Sequence, residues 1–561
     1  MSFKKIMAVA LLSGAICMSC LANTEKKRPA VTSNAPRIIN IINFIRQTDY
    51  RVEHSDSLMF EAVQEQIKLV SKYNFPATFL FQYDALINPQ YQELMKKELP
   101  ANCELGAWWE ITQPHVEAAG IKWRGEHSWV SHANIAFTTG YTSREREQLV
   151  DVYMTKFKEI YGYYPKSVGA WFIDSYTLAY MYEKYGIVAS CNCKDQIGTD
   201  GYTLWGGYWS QAYYPSRINA YMPAQTEEAQ IPVPIFRMLG SDPIYQYDTG
   251  LGSKRQGVIS LEPVYKESGM NKEWVEYLLE SIVDQPCLAF SYAQAGQENS
   301  FTWKAMQKGL EMQFPMFDSL RIAGKIRLET LETSGKWFKE QFKHTPPTAV
   351  TTLTDIRNEG RKSVWFNSRY YRTNLLWEGK SFRFRDIHLF DEKFKSPYYD
   401  RAGEGSQFFY FTLPVVDGFI WSTSEERAGL RIMKVDKSKS RSEILFKDPV
   451  VKEISKDVLQ VRCKDENENT FNIILYEDRF EVSCEPQEKG LNWTLELTTA
   501  NDVELPFLSF ETKKINATFR GFDYTIRCEK GSIEGGNSSD EFVFRLTPSG
   551  NRLVVDCKNI R

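Results

Sequence analysis

Three acidic residues stand where an apolar, strand-like run gives way to a loop, and they are the natural places to look for chemistry. Glu110 follows Trp108 and Trp109, Asp174 closes the run 169–173, and Glu298 sits in the stretch 296–299. Two carboxyls facing one pocket are the minimum equipment of a glycosidase, one as nucleophile or base and one as proton donor. Their separation is about 5–5.5 Å for retention and about 6.5–9.5 Å for inversion. The expectation is Asp174 as nucleophile and Glu298 as acid/base, with Glu110 a second candidate for either role. Acidic residues at strand ends also cap helices or pair with arginine, so a structural role stays open for each.

Residues able to hold a sugar cluster nearby. The stretch 195–217 is polar and aromatic, and loops of that length inside a compact domain are usually functional. In it, Trp205 and Trp209 suit a stacking wall, while Asp200, Gln211 and Arg217 suit hydroxyls or a charged substituent. Arg237 and Asp242 follow the next strand and are expected to line the same mouth, with Trp108 and Trp171 beside the carboxyls. The alternative is a self-packed loop with its aromatics buried. A metal-activated water needs two His and an Asp around one ion. His127 and His132 are five residues apart, and a third ligand would have to come from Asp49 or His54; no metal and no cofactor is therefore assigned. Cys191 and Cys193 lack zinc spacing.

These groups need a scaffold, and the chain supplies an alternation of apolar runs with amphipathic stretches. That is the pattern of parallel strands joined by crossover helices. Strands are expected at 38–45, 77–81, 104–111, 167–173, 187–191, 233–239 and 287–292. Helices are expected at 58–73, at 143–161 with a Ser cap, at 303–318 and at 321–342. Seven or eight such units make a (β/α)7-type barrel over 38–345, with catalytic groups just past the C-terminal strand ends. From 346 to 561 short alternating runs such as 408–413, 471–476, 480–484, 493–497 and 542–546 predict an all-β, sandwich-like C-terminal domain. The overall class is α/β with an all-β appendage.

Bulk properties narrow the partners. The 68 basic and 71 acidic residues give a net charge of -3, which leaves no electrostatic footprint for nucleic acid or for an anionic membrane. Aromatics reach 14%, with 14 Trp and 30 Tyr, which suits stacking on the apolar faces of sugars. Residues 1–22 read as a signal peptide with Lys4 and Lys5 ahead of an apolar run, followed by a polar tether over 23–37. Cys20 fits a loose lipoprotein box, so the chain is expected to be exported to the cell envelope. It would touch the membrane only through a lipid on Cys20. The remaining cysteines are expected to be buried thiols, with room for a disulfide or two in the β region.

The element order resembles the barrels shared by the polysaccharide deacetylases and glycoside hydrolase families 38 and 57. Residues 75–80 are similar to the second strand of the deacetylases, and Tyr163, Tyr164 and Pro165 fit the segment before their fourth strand. Residues 171–174 are similar to the segment carrying the nucleophilic Asp of the family 38 mannosidases. The first strand departs from both metal-dependent groups. It ends Asn43, Phe44, Ile45, Arg46, where the deacetylases have paired Asp and the mannosidases His-x-Asp. The family 57 resemblance implies metal-free work by a fourth-strand carboxylate and a seventh-strand Asp, a layout that Asp174 and Glu298 would mimic. The two-domain arrangement is also similar to lipoproteins of glycan-degrading gut bacteria.

Together these readings predict an exported, metal-independent glycoside hydrolase acting on a poly- or oligosaccharide. The alternatives are a metal-dependent polysaccharide deacetylase and a non-catalytic glycan-binding lipoprotein.

Overall fold

The first strand, Arg37–Ile45, is apolar or amide at nearly every position and buried along its whole length, as a central parallel strand covered on both faces must be. In the computed structural model, which describes residues 34–487, 490–537 and 541–559, it is the hub of the larger sheet. It pairs in parallel with Ser291–Ala295 on one side and with Thr78–Phe81 on the other. The order continues through Glu104–Trp108, Ser167–Gly169 and Ala189–Asn192 to Ile235–Arg237, giving seven parallel strands in barrel sequence. A short antiparallel strand, Ala212–Tyr213, flanks the sixth, and among the described residues no pairing closes the sheet between sixth and seventh.

Local sequence sets the helices between them. Ser143–Tyr161 begins with a capping box in which Thr142, one residue before the expected Ser, exchanges hydrogen bonds with Glu145. It ends at Gly162 in the left-handed region, where a side chain would be strained. Ser175–Tyr185 is capped by Asp174 and stopped by Gly186. The helix expected over 321–342 is divided. Thr302–Ile322 ends near Gly324 (φ +67°), then Arg327–Glu329 forms a short strand beside the first one, and Leu331–Gln341 restarts behind a Thr330 cap.

Beyond Thr348 the chain is all β. A ten-stranded sheet running from Thr348–Thr352 to Ser532–Gly535 faces an eight-stranded sheet between Val450–Ser455 and Phe507–Glu511. Aromatic pairs such as Phe384 with Phe480 (5.3 Å) and Phe471 with Trp493 (5.6 Å) fill the space between them. This is the expected barrel followed by a β-sandwich. All cysteines of the described residues are free thiols, so the anticipated β-domain disulfides are absent there.

The two regions are stitched together. Phe408–Phe411 from the β region adds in parallel to Tyr202–Trp205 in the long barrel loop. Behind it, Arg372 ion-pairs with both Asp195 and Asp386, Arg237 reaches Asp195 at 2.7 Å, and the Tyr221 hydroxyl donates to Asp195 at 2.5 Å. Each of these groups is essentially inaccessible to water. The export segment 1–22, Cys20 and most of the 23–37 tether lie outside the described residues. No helix among the described residues is long and apolar enough to cross a membrane.

Candidate functional site

The segments that follow Arg37–Ile45, Glu104–Trp108, Ser167–Gly169 and Ser291–Ala295 line the barrel mouth, and Arg46, directly after the first of these strands, binds three carboxyl groups there. Arg46, 2% exposed, forms a two-pronged pair with Glu110: Nε to Oε2 and Nη2 to Oε1, both 2.8 Å. Its Nη1 stands 2.9 Å from Glu298 Oε2, 3.2 Å from Ser300 Oγ and 3.6 Å from Asp49 Oδ2. Burial opposes the guanidinium's charge, but Glu110, Glu298 and Asp49 outweigh it and hold Arg46 above its ordinary range.

The two glutamates around this cation differ in what they have left to offer. Besides the two bonds from Arg46, Glu110 accepts from Trp108 Nε1 (2.8 Å) and Gln82 Nε2 (3.1 Å), so its Oε2 holds three donors and its Oε1 one. Glu298 is bound on one side only. Ser300 Oγ donates to its Oε1 at 2.7 Å, whereas Oε2 faces Arg46 within ion-pair distance but without a hydrogen-bonding alignment. Burial, reinforced by the charge of Glu110, pushes the Glu298 carboxyl up to about 7, with Arg46 and Ser300 acting in the opposite sense. Asp49 behaves otherwise: burial would raise it, yet the bonds from Arg51 (2.8 and 2.5 Å) and the charge of Arg46 hold it below the usual carboxyl range.

Above these groups opens a cavity of about 620 Å3 lined by Arg46, Asp49, Arg51, Glu110 and Glu298, with Trp129, Phe137, Trp171, Asp200, Arg255, Tyr265 and Ser300 around them. The Arg46 and Arg51 guanidinium carbons lie over the Trp129 ring at 4.4 and 4.8 Å, so two cations hold the indole in place. A few convergent polar groups within aromatic walls are the ordinary make-up of a small-ligand site.

Of the residues expected here, Glu110, Glu298, Trp171 and Asp200 line the cavity. Trp108 lies beneath it, fully buried, its ring on Phe44 at 4.0 Å and its indole N–H on Glu110. Asp174 does not reach it. Its Oδ1 accepts from Thr177 N and Arg146 Nη1 (both 3.0 Å), and its Oδ2 accepts from Thr138 and Thr177 hydroxyls (both 2.6 Å). Those bonds make it a helix cap and the counter-ion of a buried arginine, which corrects the nucleophile expectation.

The proposed sugar wall is likewise corrected, because those aromatics are spent on the seam between barrel and β region. Trp205 donates to Asp417 at 2.8 Å, and Trp209 stacks on Trp365 at 3.8 Å and 1°. Gln211 is buried and supplies a backbone carbonyl to Arg237 N, and Arg237 itself is consumed by Asp195. Asp242 accepts from the backbones of Ile244 and Tyr245 and from Trp274, and Arg217 pairs on the surface with Glu183. Arg46, Arg51, Trp129, Phe137, Arg255, Tyr265 and Ser300 are among the lining residues that sequence reading missed. A lone arginine terminating a buried apolar strand was the available signal.

The resemblance to deacetylases implies a divalent metal held at the end of the first strand, and the donors present do not fit one. A guanidinium stands at that point. His127 and His132 are exposed, the first stacked on Tyr50 at 4.5 Å, and His54 lies exposed at the start of Ser55–Tyr73. Among the described residues no group of three or more His, Cys, Asp or Glu side chains is arranged to hold a metal ion.

No family model matches the chain, and no curated protein matches it. Among solved structures, a glycoside hydrolase/deacetylase candidate from Parabacteroides distasonis superposes with a TM-score of 0.51 at 15% identity, over 68% of this chain and 90% of that one. A candidate polysaccharide deacetylase from Mycobacterium smegmatis gives 0.35 at 9% identity, over 56% of this chain and 94% of that one. The peptidoglycan deacetylase PdaC of Bacillus subtilis gives 0.24 at 13% identity, over 55% and 93% respectively. By the first of these likenesses the chain shares that structure's fold.

Proposed function

We propose that the chain is a carbohydrate acyl hydrolase, removing an acetyl-type substituent from a poly- or oligosaccharide seated at the barrel mouth. The carrying observation is the inequality of the two glutamates. Glycosidic cleavage needs two working carboxyls. With Glu110 holding four donors and Asp174 committed to a helix cap, Glu298 alone of the three has a carboxyl oxygen without a hydrogen-bonding partner. Acyl transfer to water needs one proton carrier and a fixed positive charge beside the carbonyl. Glu298, its carboxyl pushed up to about 7, suits the first requirement, and Arg46 with Arg51 suits the second.

In this reading Glu298 Oε2 takes a proton from water as the water oxygen bonds to the acyl carbon, and charge gathers on the carbonyl oxygen near the guanidinium groups. Collapse breaks the acyl bond to the sugar, and Glu298 returns the proton to the departing sugar atom. The carboxylic acid and the deacylated glycan leave, and the acid gives its proton to solvent. Phe137, Trp171 and Tyr265 supply apolar faces for the ring and the acyl methyl. The fold likeness to a glycoside hydrolase/deacetylase candidate supports the same class.

The test is acetate release from a panel of acetylated oligosaccharides by the wild-type chain and by E298Q, with reducing-end release measured in parallel. Acetate release abolished by E298Q is the expected result. Reducing ends without acetate would restore the glycosidase reading, and glycan binding with neither product would make the chain a binding module. We also propose export and lipidation on Cys20, with 38–345 and 346–561 as its domains; loss of lipid labelling in C20A checks the anchor.

A further inference from the structure

We infer that Arg255 selects the substrate by anchoring an anionic substituent, a carboxylate or a sulfate ester, on the glycan whose acyl group Glu298 addresses. This inference rests on the acyl-hydrolase reading of the mouth. Three arginines line the cavity, and two of them are already balanced. Arg46 faces Glu110, Glu298 and Asp49, and Arg51 is bonded through two nitrogens to Asp49. Arg255 is exposed at the cavity wall, and among the described residues its guanidinium takes part in no ion pair, hydrogen bond or ring contact.

That free guanidinium does not ride on a loose loop. The Arg255 N–H donates to Ser253 Oγ at 3.2 Å, and the same hydroxyl donates to the Arg255 carbonyl at 2.6 Å. Gln256 beside it is buried, donating from its backbone to the Ile197 carbonyl and from its side chain to the Tyr247 carbonyl, both at 3.0 Å. Two glycines with positive φ close the packing. A Cβ at Gly250 would meet the Arg255 carbonyl oxygen at 2.3 Å, and one at Gly198 would meet that of Lys254 at 2.2 Å. The backbone around Arg255 is tied down while its side chain is left to whatever enters the cavity.

Arginine presents a planar fork of donors that matches the oxygens of a carboxylate or a tetrahedral oxyanion, so an anionic ligand supplies what the protein here does not. Asp200, also lining the cavity, forms no ion pair with Arg255. It repels an acid placed beside it, which favours Arg255 as the seat of the substituent.

Wild type, R255Q and R255K are compared by kcat/KM for acetate release from acetylated oligogalacturonides, acetylated sulfated galacto-oligosaccharides and acetylated xylo-oligosaccharides, the last being the neutral set. Wild type is expected to favour one anionic set over the neutral set by about tenfold or more, and the set favoured tells carboxylate from sulfate. R255Q is expected to lose that preference through KM, R255K to keep part of it, and salt at about 0.5 M to shrink it in wild type. Calorimetry with the same oligosaccharides lacking acetyl groups separates this inference from the hydrolase reading. Anion binding by wild type that R255Q weakens about tenfold, without acetate release from any substrate, upholds the anchor while the hydrolase reading fails. Equal kcat/KM on anionic and neutral sets, or an anion preference that survives in R255Q, overturns the inference and leaves the hydrolase reading standing. Absence of both acetate release and anion-dependent binding overturns it as well.

Discussion

Replacing Glu298 by Gln isolates the energetic cost of ionising that carboxyl inside the barrel. Its burial lifts it from the ordinary 4.5 to about 7. At roughly 1.4 kcal/mol per pH unit, the folded protein loses about 3 kcal/mol of stability through this group as pH rises across that interval. The sign follows from proton binding. Between 4.5 and about 7 the folded chain holds a proton that the unfolded chain has released. The contribution is thus complete below 4.5, falls as pH rises, and is gone above about 7. Asp84 and Glu104, both buried and also pushed up to about 7, add the same slope to wild type and variant and cancel in their difference. The assay is urea denaturation of both proteins from pH 4.5 to pH 8.5. The stability of E298Q relative to wild type should climb by about 3 kcal/mol over the range, while wild-type kcat/KM rises through a limb near pH 7. Parallel stability curves would refute a protonated, buried Glu298, and a flat rate profile would remove it as the base.

Three further outcomes are expected. S300A removes the hydroxyl that favours the ionised form of Glu298, so the limb in kcat/KM should move to higher pH, with S300T restoring it. D174N should lower the melting temperature by depriving Arg146 of its counter-ion, at a cost of about 3–5 kcal/mol, while turnover per folded molecule is unchanged. R372M should cost a similar amount, because it leaves Asp195 and Asp386 facing each other without their shared cation, and denaturation followed by tryptophan fluorescence will register it.

Much of the scaffold was legible because a parallel strand buried on both faces writes a continuous apolar run, as at 38–45, and because capping residues mark helix starts. The rule that chemistry gathers past strand ends located Glu110 and Glu298. It misled at Asp174, which lies after the short strand Ser167–Gly169 has ended and begins a helix. Asp174 with Thr177 three residues on was a capping signature in plain view. Trp205 and Trp209 could not be read, since their partners Asp417 and Trp365 lie more than a hundred residues away in sequence and an aromatic loop looks the same whether it faces sugar or a neighbouring sheet. Arg46 was noted only as a missing acid. Its meaning depends on three carboxyls that the fold alone brings together.

The pairing of Phe408–Phe411 with Tyr202–Trp205 also constrains the order of events during biosynthesis. As the polypeptide emerges N-terminus first, the long loop of the half-made barrel must wait some two hundred residues for its partner strand. Until then an unpaired edge stays open to self-association. A truncated barrel would therefore be a poor expression product, and whatever shields that edge in the nascent chain becomes part of how the protein matures.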